Sequence, residues 1–289
     1  MKDPLSILHH MYTIYLFTKS DNLTIMVPVT LFALAASPMI SLQHIYHAVL
    51  WLWLHLLQTD VANQTTSPGE DERNKGWRPI PSGRMSLKSA LVLRWLLVPI
   101  CWAMSWLYSE QMLATSAAVT VLVILYNELS ISGHWFGKNV LNTLGIAAYE
   151  VGTTLLASGR NTTLDSVGTR SVLISAGIIL TTIHAQDFRD VQGDLDAGRR
   201  TFPIISPTAA RLTVLVGLLC WTAATIHIWQ LDWVTAMLIT VLALFIGWRF
   251  LVRTTVGDDE VSFIWYNIWM SCIHVLPAYY RYTQRRGLV

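Results

Sequence analysis

Nine stretches of about 20 mostly apolar residues occupy most of this chain, near 22–40, 42–60, 87–108, 111–128, 138–158, 169–187, 208–229, 231–252 and 261–281. That is the helix length a bilayer's hydrocarbon requires. A backbone in lipid must satisfy its own hydrogen bonds, and runs of this length do so as helices. The expectation is an all-α membrane protein, a bundle of nine transmembrane helices around a central cavity. Composition agrees. Of 289 residues, 53% are hydrophobic and only 13% charged, where a soluble domain carries about a quarter charged. This excludes a disordered chain, a nucleic-acid-binding surface and an ordinary cytosolic enzyme. The net charge of +2 demands no polyanionic partner, and nothing indicates an obligate protein partner. Cys101, Cys220 and Cys272 sit in apolar runs without disulfide-framework or zinc-ligand spacing. The short apolar stretch 5–17, interrupted by His9 and His10, reads as an interfacial helix.

Nine spans place the N-terminus and every second loop on one side. That side collects most of the Lys and Arg, among them Lys19, Lys75, Arg78, Lys138, Arg189 and Arg199, and the positive-inside rule assigns it to the cytosol. Arg285 and Arg286 fall on the other side, against the rule. The acceptor Asn161-Thr162-Thr163 lies in an opposite, lumenal loop, which agrees with the endoplasmic reticulum. The chain reads as one domain, 1–289. Its two halves, about 22–128 and 138–252, each carry one acidic, basic-flanked loop, and the last helix, 261–281, follows.

Those loops carry the chemistry. The first, 63–84, places Glu70, Asp71 and Glu72 beside Arg73, Lys75, Arg78 and Arg84. The second, 187–201, contains Asp187, Asp190 and Asp194 with Arg189, Arg199 and Arg200. If the sixth helix continues through it, the three aspartates fall within an arc of about 60°. Carboxylates on one face repel unless a cation joins them. Mg²⁺ fits, because it takes oxygen ligands and shares them with phosphates. Guanidinium groups bind phosphate oxygens in bidentate fashion. Acids for metal and bases for phosphate, twice at one membrane edge above an apolar bundle, point to an isoprenyl diphosphate. Either loop alone reads equally well as a solvated charge run; the two together favour a site. Asp196 and Glu72 read as solvated flank.

At these residues the sequence resembles the UbiA superfamily of intramembrane prenyltransferases, over nearly the whole chain. The resemblance rests on Asp187-x-x-Asp190-x-x-x-Asp194 with Gly198-Arg199, on Arg78-Pro79-Ile80-Pro81-Ser82-Gly83-Arg84, on Leu125-Tyr126 and on Lys138-Asn139. It implies nine transmembrane helices, Mg²⁺-dependent cleavage of an isoprenyl diphosphate, and a diphosphate contact for Lys138. The first motif departs from the prenyltransferase pattern: Asn63 and Asp71 keep their places, while Gln64 and Ser67 stand where acids are usual. That opening, with Glu70-Asp71 and Asn74-Lys75-x-Trp77-Arg78, resembles the fungal UbiA-type terpene cyclases of secondary metabolism.

The resemblance implies a membrane-bound lyase that cyclises farnesyl diphosphate to a sesquiterpene hydrocarbon. Metal ligands would be Asn63, Asp71, Asp187, Asp190 and Asp194, with Gln64 and Glu70 as further candidates, and Lys75, Arg78, Lys138, Arg189 and Arg199 would hold the diphosphate. An aromatic prenyltransferase is the alternative. A transporter is the non-enzyme alternative, against which the acids stand at one edge and not at the midplane. Tyr126, Tyr149, Trp102 and Tyr266 are candidates to stabilise a carbocation, or are ordinary packing. Glu150, an acid inside a span, reads either as the final base or as a group paired with Asn142 or the backbone. His184 is placed to orient Asp187. His44, His47 and His55 read as metal ligands or as polar groups facing other helices.

Overall fold

The computed structural model describes residues 4–38, 42–66, 69, 71–72, 75–159, 162–196 and 198–285. Glu70, Arg73 and Asn161, singled out in the sequence, lie outside them. The helices are α1 (Pro4–Thr18), α2 (Val27–Ala36), α3 (Leu42–Thr66), α4 (Leu87–Trp106), α5 (Glu110–Asn127), α6 (Trp135–Ser158), α7 (Ser166–Thr182), α8 (Val191–Asp196), α9 (Phe202–Ile205), α10 (Pro207–Ile228), α11 (Trp233–Val252) and α12 (Val256–Arg285). Among the described residues there is no β-strand, only an isolated parallel bridge between His134 and Arg200.

Seven helices are long and apolar enough to cross a membrane: α4, α5, α6, α7 with its extension to Phe188, α10, α11 and α12. The nine expected from apolar runs are therefore not all alike. The run near 22–40 is a π-helical turn (Asn22–Met26) leading into α2, only 10 residues long. α3 has the length, 25 residues, but carries Gln43, His44, His47, His55, Gln58 and Asp60. Of these, His55, Gln58 and Asp60 are buried, so that face looks into the bundle.

The helices close into a ring. Neighbours in sequence pack from α3 through α7, α7 passes to α10, α10–α11–α12 continue, and α12 packs on α2. α6 also meets α2 and α3. The outer helices bury little of themselves: 22% of the α4 span, against 56% for α6 and for α12. Trp95, Leu96 and Trp106 on α4 and Leu238, Val241 and Trp248 on α11 stay exposed, as suits lipid-facing surfaces. α1 buries Thr13, Leu16 and Phe17 and exposes Leu8, Met11 and Tyr12, the pattern of a helix lying at the interface. Side-chain oxygens of Ser86, Ser109, Asp165 and Asp232 cap the first backbone N–H groups of α4, α5, α7 and α11.

α6 can sit centrally because its small residues let neighbours approach. A Cβ on Gly152 would run into the Trp51 ring of α3, which also donates its indole N–H to Ser105 Oγ at 2.8 Å. Gly152→Ala is therefore expected to destabilise the protein by about 1–3 kcal/mol through overpacking. Thermal unfolding in detergent measures this, and an unchanged midpoint would refute the close approach.

Two of the three histidines of α3 are tied to neighbouring polar groups. His55 bonds the Trp51 carbonyl and Ser116 Oγ, at 2.8 and 2.7 Å. His47 contacts the Tyr108 hydroxyl at 2.5 Å. Among the described residues no group of three His, Cys, Asp or Glu is assembled closely enough to hold a metal ion unaided.

Candidate active site

Both charged loops open onto one cavity of about 270 Å³. In the second loop, α7 does not continue as the α-helix expected from the aspartate spacing. It tightens at Thr182 into a 3₁₀ helix (Ile183–Phe188), turns, and resumes as α8. The Asp190 N–H bonds the Asp187 carbonyl at 3.2 Å, and the Asp194 N–H bonds the Asp190 carbonyl at 2.9 Å. The three aspartates converge through these turns, and all line the cavity. Gly198, at φ +68°, reverses the chain in the left-handed region open to glycine. Arg200 then exchanges backbone bonds with Gly133 and Trp135, at 2.9 and 3.1 Å, and so fastens the loop exit to the start of α6.

That fastening delivers Lys138. Lys138 is 5% exposed, and its ammonium reaches Asp187 Oδ1 at 2.7 Å and Asp194 Oδ2 at 3.4 Å. Arg199 pairs with the other oxygen of Asp194 at 3.0 Å. Arg189 lies 3.6 Å from Asp190 and covers the Phe263 ring at 4.7 Å.

The first loop folds in nested turns. Lys75 N–H bonds the Asp71 carbonyl at 2.9 Å, and Arg78 N–H the Lys75 carbonyl at 2.8 Å. Arg78 grips Asp71 at 2.7 Å and Ser20 Oγ at 3.1 Å. Burial pushes the Asp71 carboxyl above its ordinary value, against the pull of Arg78 and Lys75. Burial likewise pushes the Lys75 ammonium down, and the Arg78 charge adds to that. Arg84 leaves the site and stacks on Tyr12 of α1.

The cavity changes character with depth. Asp71, Lys75, Arg78, Lys138, Asp187, Arg189, Asp190, Asp194 and Arg199 ring one part, and Leu56, Val119, Val123, Leu141, Ile146 and Ile183 line the rest. Around it several polar atoms are buried without a protein partner. The acceptors are Asn63 Oδ1, Asp71 Oδ2 and Asp187 Oδ2; the donors are Nε of Arg78 and Nε of Arg189. Unsatisfied oxygens on carboxylates and an amide suit a hard cation, and unsatisfied guanidinium N–H groups suit an anion. The residues present therefore fit a magnesium diphosphate.

Several expectations fail here. Gln64 lies outside the cavity and donates to the Phe17 carbonyl at 3.0 Å, which ties α3 to α1. His184 contacts the Ala210 carbonyl and Thr213 of α10, at 3.0 and 3.1 Å, not Asp187. Glu150 does not line the cavity. It accepts from Ser175 at 2.5 Å and lies 3.4 Å from His274, so neither Asn142 nor the backbone is its partner. Tyr126 and Tyr149 do line the cavity, whereas Trp102 faces outward and Tyr266 is packed in the core against Thr182. Glu72 and Asp196 are exposed, as expected of flank. Sequence reading missed Asp21, Asp60, Phe263 and Asn267 in the lining. Asp60 was detectable: it stands one turn before Asn63 on the same helix face. The other three lay in segments without a motif.

Next to this cavity runs a groove of about 1070 Å³ between the 19–31 segment and α12. The two share Thr24, Lys75, Arg189, Asp190, Phe263 and Asn267 in their linings.

Residues 24–271 match the profile of the UbiA prenyltransferase family. The chain is 32% identical to the fumagillin beta-trans-bergamotene synthase of Aspergillus fumigatus over 270 residues, 93% of this chain and 92% of that one. It is 29% identical to a diterpene cyclase of Hericium erinaceus over 260 residues, 87% and 82% of the two. Its fold matches a UbiA homologue from Archaeoglobus fulgidus, solved bound to GPP and Mg²⁺, with TM-score 0.66 at 12% identity over 92% and 99% of the chains.

Proposed function

The chain belongs to the UbiA prenyltransferase family, and from that premise we propose that it is a terpene cyclase acting on farnesyl diphosphate. It is an integral membrane protein, and the named activities of its relatives support an enzyme of isoprenyl diphosphates. The observation that carries the reading is the set of unpartnered donors and acceptors around one half-polar, half-apolar cavity. The name of one relative, a diterpene cyclase, supports cyclisation over transfer to an acceptor.

The substrate enters from the bilayer along the groove beside α12. Its diphosphate lies among Lys75, Arg78, Lys138, Arg189 and Arg199, and its chain lies in the apolar bowl. Magnesium would be held by Asp71 and Asn63 on one side and Asp187, Asp190 and Asp194 on the other, and as a Lewis acid it stabilises charge on the departing diphosphate. Lys138 and the arginines are already in place, fixed by the aspartates they pair with, so little reorganisation accompanies C–O cleavage. Beneath them the apolar walls exclude water from the allylic cation. Tyr126 and Tyr149 present aromatic faces to it, worth about 0.5–2 kcal/mol each when desolvated. The α2 and α3 segments complete a nine-helix bundle of two related halves, 22–128 and 138–252, with both charged loops facing the cytosol from the endoplasmic reticulum.

Microsomes carrying the protein, incubated with farnesyl diphosphate and Mg²⁺, are expected to release diphosphate and a volatile hydrocarbon with no acceptor present. Chelation by EDTA should stop both. Release that occurs only when a phenol is supplied, with prenylation of that phenol, would establish the prenyltransferase alternative instead.

A pH dependence follows from Lys75. Its ammonium is lost, as pH rises, before an ordinary lysine would lose it. The alkaline limb of kcat/KM for diphosphate release should then fall below the ordinary lysine range. Lys75→Arg should move that limb upward, because a guanidinium keeps its proton; a limb that stays in place refutes the assignment.

A further inference from the structure

The cavity wall holds two carboxyl groups that neither the metal nor the diphosphate assignment uses. Asp60 of α3 is 5% exposed and lines the cavity together with Asp21. Its Oδ2 has no hydrogen-bond partner, and Asp21 stands in the lining of the same cavity. Asp21 is itself anchored: it accepts from Ser20 Oγ and Thr24 Oγ1, each at 3.1 Å. Ser20 in turn receives the Arg78 guanidinium at 3.1 Å. The charged groups facing Asp60 are Asp21 from the 19–26 segment and Lys75 and Arg78 from the first loop; from α6 comes the Tyr149 hydroxyl, bonded to the adjacent Thr59 at 2.5 Å.

Its depth distinguishes it from the metal candidates. Asp60 lies three residues before Asn63, about 4.5 Å further from the charged loops along the helix axis. Leu56, a turn deeper still, belongs to the apolar bowl. The unpartnered oxygen therefore stands at the boundary between the ionic mouth and the hydrocarbon space, and Glu150, an acid on α6, does not line that space.

We propose that Asp60 is the base that ends the cyclisation, with Asp21 as its positioning residue; this rests on the cyclase reading above. A C–H bond next to the final cationic carbon breaks, its electron pair becomes the C=C π bond, and the proton passes to Asp60 Oδ2. The proton then leaves with the released diphosphate or to water at the mouth. A carboxylate placed here also fixes which hydrogen is within reach, and so which alkene forms.

The test runs wild type, Asp60→Asn, Asp60→Glu and Asp21→Asn in microsomes with farnesyl diphosphate and Mg²⁺, reading diphosphate release and hydrocarbon composition in parallel. For Asp60→Asn, release should fall less than about tenfold, while the main product's share falls at least about tenfold in favour of other alkenes or water-quenched alcohols. Asp60→Glu should restore the main product in part, and Asp21→Asn should shift composition the same way but less. Unchanged composition in Asp60→Asn overturns this inference and leaves the cyclase reading intact. Lost release with a raised Mg²⁺ requirement makes Asp60 a metal ligand and also overturns it. If Asp60→Asn does not accumulate, Asp21→Asn decides, and an unchanged composition there refutes the pair. A wild type that makes no hydrocarbon without an acceptor removes the cyclase reading, and this inference with it.

Discussion

Replacing Asp190 and Asp194 together by alanine is expected to lower acceptor-free diphosphate release by at least about 10³-fold, since losing one electrostatic contact to a developing anion commonly costs 10²–10³. The two aspartates differ in what else they do. Asp194 is buried and clamps Lys138 and Arg199, so its removal also takes one carboxylate from each of two cations, while Lys138 keeps Asp187. Asp190 is half-exposed and meets Arg189 only at 3.6 Å, a contact of little structural worth. Asp190→Asn alone separates the effects: release should drop about 10²-fold, while the unfolding midpoint in detergent stays within a degree or two. Turnover within threefold of wild type in the double variant would remove the metal assignment altogether.

Lys138→Met is expected to produce the largest combined effect. The ammonium is the cation between two buried carboxylates, Asp187 at 2.7 Å and Asp194 at 3.4 Å. Breaking a buried pair from one side leaves uncompensated charge and costs about 3–5 kcal/mol. The variant should unfold well below wild type and release no measurable diphosphate. Two further measurements distinguish the cause. Adding Asp187→Asn removes one of the stranded charges and should recover part of the stability but none of the turnover. Mg²⁺ should raise the midpoint of Lys138→Met more than that of wild type, because a divalent cation takes the place the ammonium held. A stable Lys138→Met protein, indifferent to Mg²⁺, would mean that the cluster is not the charge-compensated site described here.

Much of the site is legible in the sequence because ion chemistry restricts residue type. Asp71, Asp187, Asp190 and Asp194, and the cations Lys75, Arg78, Lys138, Arg189 and Arg199, all converge on one cavity. The aspartates converge through a local geometry other than the helix their spacing suggests. A continued α-helix would have aligned them, whereas a 3₁₀ turn and a short α8 do so instead. Spacing by three and four residues satisfies either geometry. Gln64 and Asn63 are adjacent in sequence, yet one lies against α1 and the other faces the cavity. Adjacent helical residues diverge by about 100°, so a motif read as a string joins side chains that the helix separates. Glu150 and His184 misled for another reason. A polar residue in an apolar run must find a partner, but the partner, Ser175 with His274 or the Ala210 carbonyl with Thr213, lies on a different helix.

By itself the sequence determined an all-helical membrane chain, two charged loops at its rim, and the chemistry those loops are suited to. Apolar run length and the solvation of charge are local properties, carried by each segment without reference to its neighbours. Only the tertiary structure decided that seven helices qualify as spans by length and composition while α3 turns a polar face inward. It also decided that Lys138 bridges two aspartates about fifty residues away in sequence, and that Asp21 and Asp60, far apart in sequence, line one cavity. Those contacts depend on which helix faces which, and packing of the whole ring fixes that choice through small residues such as Gly152 and large ones such as Trp51.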